Sequence, residues 1–121
     1  MPNILIIDDS PTDVHVYSKL LRKNGYETLS ASTAEEGIEV AKTERPDLIL
    51  MDIIMPGMNG FQATRSLSRD PETSSIPVII ISTKNMETDR VWGLRQGAKD
   101  YVTKPVKESD LLMKIRNFLG E

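Results

Sequence analysis

Five short apolar runs punctuate this chain, and the stretches between them carry apolar residues at helical spacing. The runs are "NILII" (3–7), "ETLSA" (27–31), "DLILM" (47–51), "IPVIIIS" (76–82) and "DYVT" (100–103). Short apolar runs with β-branched content, bounded by turn residues, read as strands, and "ETLSA" is the weakest, as suits an edge. The first intervening stretch opens on Ser10-Pro11, with Asp13 three beyond the cap, carries Val14, Tyr17 and Leu21 on one stripe, and stops at Asn24-Gly25. Thr33 to Glu36 opens a second helix with Ala34, Ile38 and Ala41 inward, stopped by Pro46. Asn59 caps a third, carrying Phe61, Thr64 and Leu67 inward and closed before Pro71. Residues 86–95 form a short fourth helix ending near Gly97, and the last runs from about Lys107 to Leu119 with Leu111, Ile115, Phe118 and Leu119 on one face. Strands alternating with helices through short connections imply a parallel sheet covered on both faces, a doubly wound α/β fold.

Length and composition narrow the function. At 121 residues the expectation is one domain, 1–121, with room for a three-layer core. No repeat, linker or low-complexity tract is visible, and with the last helix running to the end of the chain no output domain is expected. The absence of cysteine excludes disulfides and thiolate sites and fits a reducing compartment. No apolar run approaches a membrane span, and "MPNILIIDD" lacks a basic leader, so a cytoplasmic protein that does not enter the membrane is expected. A net charge of −3 without a basic block gives no electrostatic support to nucleic-acid binding.

The strand ends carry the chemistry. In a doubly wound sheet, ligands bind outside the carboxyl ends of the strands. Strand one ends in Asp8 and Asp9, strand three in Asp52, strand four in Ser82 and Thr83, and Lys104-Pro105 follows strand five. Singly, each has an ordinary explanation: "DDS" as turn and cap chemistry, Asp52 as a loop aspartate, Ser82 and Thr83 as backbone partners, Lys104 as a solvated lysine. Together they come from four strands and share one rim.

Clustered carboxylates repel and call for a cation. With no cysteine, and with His15 off the apolar stripe of the first helix, soft metals are disfavoured. Oxygen ligands suit Mg²⁺, which combines one or two carboxylates with waters and phosphate oxygens. A carboxylate beside Mg²⁺ is a nucleophile toward phosphorus, forming an acyl phosphate. Lys104, Ser82 and the metal would neutralise the transferred group, so Asp52 reads as a phosphoryl acceptor. No P-loop is present, and "DDSPTD" would repel a flavin phosphate.

These segments resemble a known family. "IIDDS", "LILMDIIMPGMNG", "PVIIIST" and "GAKDYVTKPV", in this order and over essentially the whole chain, are similar to the CheY-like receiver domains of bacterial two-component response regulators. The resemblance implies a flavodoxin-like (βα)5 fold with strand order 2-1-3-4-5. It implies Asp52 as phospho-acceptor, and Mg²⁺ held by Asp9 directly, by Asp8 through water, by Asp52 and by the backbone carbonyl of Ile54. Ser82 would be the switch hydroxyl, Tyr101 the coupled aromatic and Lys104 the phosphoryl-binding lysine, with a cis bond before Pro105. The implied donor is a histidine kinase or phosphotransfer domain. The implied target is a protein met through the fourth helix, fifth strand and fifth helix, and the domain catalyses only its own phosphorylation and dephosphorylation. "GFQATR" and "VWGLRQGA", outside this chemistry, resemble stand-alone receivers of chemosensory systems controlling type IV pili and twitching motility. Two other readings stay open: a phosphate sink draining a shared kinase, and an interaction module that needs no phosphate.

Trp92 lies about 100° off the Val91/Leu94 stripe of the fourth helix. The favoured expectation is a partly buried tryptophan leaning on its neighbours, and the alternative is an exposed anchor on the output face. By resemblance, Ile54 and Lys84 flank the route by which water reaches an acyl phosphate on Asp52.

Overall fold

Side chains in a strand alternate between faces, and here every inner strand is apolar on both. That pattern requires two cores, one on each side of a single sheet. The computed structural model describes all residues, Met1–Glu121. Its elements are β1 (Asn3–Ile7), α1 (Pro11–Lys23), β2 (Glu27–Ala31), α2 (Ala34–Glu44), β3 (Leu48–Met51), α3 (Gly60–Arg69), β4 (Val78–Ser82), α4 (Glu87–Arg95), β5 (Asp100–Thr103) and α5 (Glu108–Leu119). The strands are parallel in the order β2-β1-β3-β4-β5, and β2 is an edge, as its composition suggests. No helix is long and apolar enough to cross a membrane.

Ile4, Ile6, Leu48, Leu50, Ile79, Ile81 and Val102 pack with Tyr17, Leu20 and Leu21 of α1 and Leu111 and Ile115 of α5. Leu5, Ile7, Ile49, Met51, Val78, Ile80 and Tyr101 face the opposite side, against Ala34, Ile38 and Ala41 of α2 and Ala63 and Leu67 of α3. The expected stripes of α2 and α5 are thus in place, although Phe118 and Leu119 are only half-buried. In α1 the buried set is Tyr17, Leu20 and Leu21, with Val14 at the margin. In α3, Ala63 takes the buried position with Thr64 and Leu67, and Phe61 lies at the edge of the core.

The fourth helix departs from expectation. Its buried residue is Gly93, while Val91, Leu94 and Trp92 are exposed by 39%, 38% and 48%. A Cβ at Gly93 would stand 2.8 Å from Ile80 Cδ1 and 3.2 Å from Tyr101 Cδ2. The helix therefore rides on β4 and β5 through its glycine, and its flanking apolar side chains splay outward instead of forming an inward stripe. Trp92 keeps about half its surface in solvent, among Met86, Val91 and Leu94, which are also exposed.

A second glycine positions the loop after β3. The Gly60 amide donates to the Ile53 carbonyl at 2.9 Å, folding the start of α3 back over the strand end. A Cβ there would collide with the Asp52 carbonyl oxygen and stand 2.7 Å from Ile53 Cα, both backbone atoms with little freedom to yield. Gly60→Ala should destabilise the protein by about 2 kcal/mol despite alanine's better helix propensity. Urea unfolding with an unchanged slope would measure it; equal or higher stability would show that the loop has room to shift.

Candidate functional site

The hydrogen-bond ladder of the sheet runs one residue past three strand ends. The Asp8 amide donates to Ala31 O (3.1 Å), the Asp52 amide to Ile7 O (2.9 Å) and the Lys104 amide to Ser82 O (2.8 Å). Each of these residues continues the alternation of its strand: Ile4, Ile6, Asp8; Leu48, Leu50, Asp52; Val102, Lys104. All three therefore emerge on the α1/α5 side of one rim.

Their side chains meet. Lys104 Nζ lies 3.4 Å from Asp8 Oδ2, 3.7 Å from Asp52 Oδ1 and 2.7 Å from Asp13 Oδ2. Asp8, Asp9 and Asp52 each place a carboxylate oxygen within 4.8 Å of the others, with Asp8 and Asp52 buried and Asp9 exposed. Asp52 Oδ1 also accepts from the Ile53 amide at 2.9 Å, and Asp8 Oδ1 from the Ser10 amide at 2.9 Å.

Burial sets the electrostatics. It pushes the Asp52 carboxyl up to about 6, helped by the Asp8 charge and opposed by Lys104. Burial likewise raises Asp8, against the Ser10 amide and Lys104. For Lys104, burial works against the charge, but the Asp13 hydrogen bond and the Asp52 and Asp8 charges outweigh it and hold its pKa above the ordinary value. Tyr17, one turn after Asp13 on α1 and buried beneath this group, is pushed up to about 12 by desolvation.

Two oxygen-only buried acids beside an exposed one suit a hard divalent cation such as Mg²⁺ and disfavour metals that seek thiolate or imidazole. Placing a cation there would relieve the Asp8 repulsion that adds to the effect of burial on Asp52. Ile54, two residues after Asp52, is 58% exposed at the mouth of the site.

Ser82 and Tyr101 belong to the other side of the sheet. The fully buried Ser82 Oγ accepts from the Lys84 amide at 3.1 Å, and the Tyr101 hydroxyl donates to the Lys84 carbonyl at 2.6 Å. Burial raises the Tyr101 phenol, and the neighbouring Ser82 hydroxyl pulls it back. Both residues thus hold the β4–α4 turn. The Lys104–Pro105 bond is cis, as the resemblance implies. Trp92 stands apart from this group, on the exposed side of α4.

Asp13 is the residue that sequence reasoning missed. The helix signal is correct, since Ser10 Oγ accepts from the Asp13 amide at 3.2 Å. The reciprocal half of a capping box is absent, because the Ser10 amide is taken by Asp8. The Asp13 carboxylate is left to reach Lys104. Its spacing to the buried Tyr17, one helical turn away, was the available signal.

The raised Asp52 pKa fixes a sign. Its folded value of about 6 exceeds the reference 3.8, so between these values the folded chain binds more protons than the unfolded one. Stability should fall as pH rises through that window. In metal-free buffer with chelator, Asp52→Asn should lack this component and be more stable at pH 7 by about 1 kcal/mol after allowance for solvent at the rim. Paired unfolding curves across the window would check this; parallel pH profiles would contradict it.

The model of the response regulator receiver domain family matches residues 4–116. Protein PilH of Pseudomonas aeruginosa PAO1 is 56% identical over 99% of this chain and 99% of its own length. Several other curated relatives are longer, and the chain spans 25% to 52% of their length. Among solved structures, the CheY-like receiver domain protein of Methanospirillum hungatei JF-1 superposes with TM-score 0.92 at 31% identity, over 99% of this chain and 94% of that one. The receiver domain of the sensor histidine kinase PA1611 from Pseudomonas aeruginosa PAO1, with TM-score 0.91 and 28% identity over 99% of this chain and 98% of that one, has magnesium coordinated in its active-site cleft. With the fold, the acidic rim and the family match in agreement, this chain belongs to the response regulator receiver domains.

Proposed function

We propose that the domain accepts a phosphoryl group on Asp52 from the phosphohistidine of a histidine kinase or phosphotransfer domain, in the cytoplasm. The observation that carries this reading is a buried carboxylate at a strand end with a lysine 3.7 Å away and two further aspartates beside it. An Asp52 oxygen attacks phosphorus, the P–N bond breaks, and its electron pair returns to the imidazole nitrogen of the donor. Asp8, Asp9, Asp52 and the Ile54 carbonyl would hold Mg²⁺, which supplies charge neutralisation on the phosphoryl oxygens. Lys104 supplies a second positive charge from the fifth strand end. On the opposite side, the Ser82 hydroxyl would turn toward the new group and release its bond from the Lys84 amide. Tyr101 and the β4–α4 turn would follow, shifting the population toward a form that presents α4, β5 and α5 to a protein target. Similarity to PilH supports placing this output in a chemosensory pathway for type IV pili.

Beryllofluoride with Mg²⁺, a mimic of the acyl phosphate, should bind the parent protein and not Asp52→Ala by calorimetry. Binding retained by the variant would move the acceptor elsewhere.

Lifetime separates switch from sink. The exposed branched side chain of Ile54 cannot orient an attacking water and narrows its approach. Lys84 pairs with Asp89 at 3.8 Å, so its charge is directed toward α4. The acyl phosphate should therefore persist longer than in an Ile54→Asn variant, whose amide can hold a water. Each tenfold difference in decay corresponds to about 1.4 kcal/mol of barrier. Loss of radiolabelled phosphate from the two purified proteins is the measurement. Equal or slower decay in Ile54→Asn would remove this role from Ile54 and favour a phosphate sink.

A further inference from the structure

Lys104 faces three carboxylates but makes its short bond to the one farthest from the chemistry. Its Nζ is 2.7 Å from Asp13, against 3.4 Å from Asp8 and 3.7 Å from Asp52. This choice is built by the backbone. Asp8 occupies the Ser10 amide that a capping box would have offered to the Asp13 side chain, so the Asp13 carboxylate has no local partner on α1 and turns across to the β5 end.

We propose that Asp13 is a positioning residue that parks Lys104 beside Asp52 at rest and yields it when the phosphoryl group arrives. The inference rests on Asp52 being the acceptor. A lysine bonded closely to Asp52 would occupy the oxygen that must attack phosphorus and would lower its nucleophilicity. Held by Asp13, the ammonium keeps its charge at the rim while Asp52 stays clear of it. Transfer then extends the negative charge from Asp52 outward, and Lys104 exchanges one anion for another by a short swing. The exchange is feasible at Asp13 because its side chain is 34% exposed and water takes the place of the lysine, whereas that of Asp8 is only 3% exposed.

A capping role alone makes a different demand. The cap bond uses the Asp13 backbone amide and the Ser10 hydroxyl, so Asp13→Asn keeps it and should keep the fold. The test uses the whole chain with ¹³C-lysine. Cε–Hε resonances of Lys104, assigned from a Lys104→Arg spectrum, are followed without metal and then with Mg²⁺ and beryllofluoride, while calorimetry gives the affinity. At rest the parent and Asp13→Asn should differ at Lys104, and with beryllofluoride the two should converge. Asp13→Asn should bind the mimic about fivefold tighter, since no rival anion must be displaced, and Asp13→Glu should behave as the parent. Coincident resting resonances, resonances that stay apart after binding, or unchanged affinity would each overturn the proposal while leaving Asp52 as acceptor. Failure of the parent to bind beryllofluoride at all would instead overturn the acceptor reading itself.

Discussion

The ladder of a parallel sheet fixes where every strand ends, and the site depends on that more than on any side-chain contact. Asp8, Asp52 and Lys104 are each the first residue beyond a strand, yet each amide still donates to a carbonyl of the neighbouring strand at 2.8–3.1 Å. Their backbones are as fixed as the core itself. Register then decides which face receives the charges. A slip of one residue would carry Asp8 or Asp52 to the α2–α4 side and bring a core isoleucine or methionine to the rim. The apolar alternation that fills two cores is therefore the same pattern that gathers carboxylates and ammonium on one side. Gly60 serves this arrangement from the other end of the loop, letting α3 close over the Asp52 backbone.

The two sides of the sheet divide the proposed work. Toward α1 and α5 lie the charges: Asp8, Asp13, Asp52 and Lys104. Toward α4 lies a hydrogen-bonded sequence in which the Lys84 backbone joins the Ser82 hydroxyl to the Tyr101 hydroxyl. In the proposed switch, Ser82 at the end of β4 would carry a charge change from one side to the other by turning its hydroxyl away from the Lys84 amide. The fourth helix suits the receiving role. It buries Gly93 and little else, and its Arg90 holds the β5 edge through Asp100 at 3.7 Å and the Tyr101 carbonyl at 3.5 Å. An element with so few buried side chains opens at lower cost than its neighbours.

Most of this was legible in the sequence because apolar runs and helix caps carry it. The continuous apolar runs "NILII" and "LILM", and the caps at Ser10, Thr33 and Asn59, marked elements that the structure reproduces within a few residues. Strand ends followed, and with them Asp8, Asp52, Ser82 and Lys104. The fourth helix was harder to read. Its apolar residues Val91 and Leu94 suggested an inward stripe, but the close approach of a glycine replaced side-chain packing, and glycine leaves no mark in a hydrophobic pattern. Asp13 was hidden for a different reason. Its position three after a capping serine has a sufficient local explanation, and the contact that matters spans 91 residues. What diverted it was a competing bond from Asp8, which only three-dimensional structure reveals.

The charge balance at the rim bears on how one lysine would serve both proposed states. Three carboxylates, Asp8, Asp13 and Asp52, face one ammonium, and Asp9 adds a fourth acid beside Asp8 and Asp52, so the resting group is under-neutralised. That deficit is arranged by depth. Asp8 and Asp52 are buried, and desolvation raises both, whereas Asp9 is exposed and Asp13 is partly so. A proposed divalent cation would answer the deep pair together with Asp9 and leave Asp13 as the natural partner of Lys104. When further negative charge is added at Asp52, the anion that gives up its lysine must be one that water can solvate in return. Asp13 meets that condition and Asp8 does not, so in the proposed exchange the burial gradient across α1 and β1 would set the direction in which Lys104 moves.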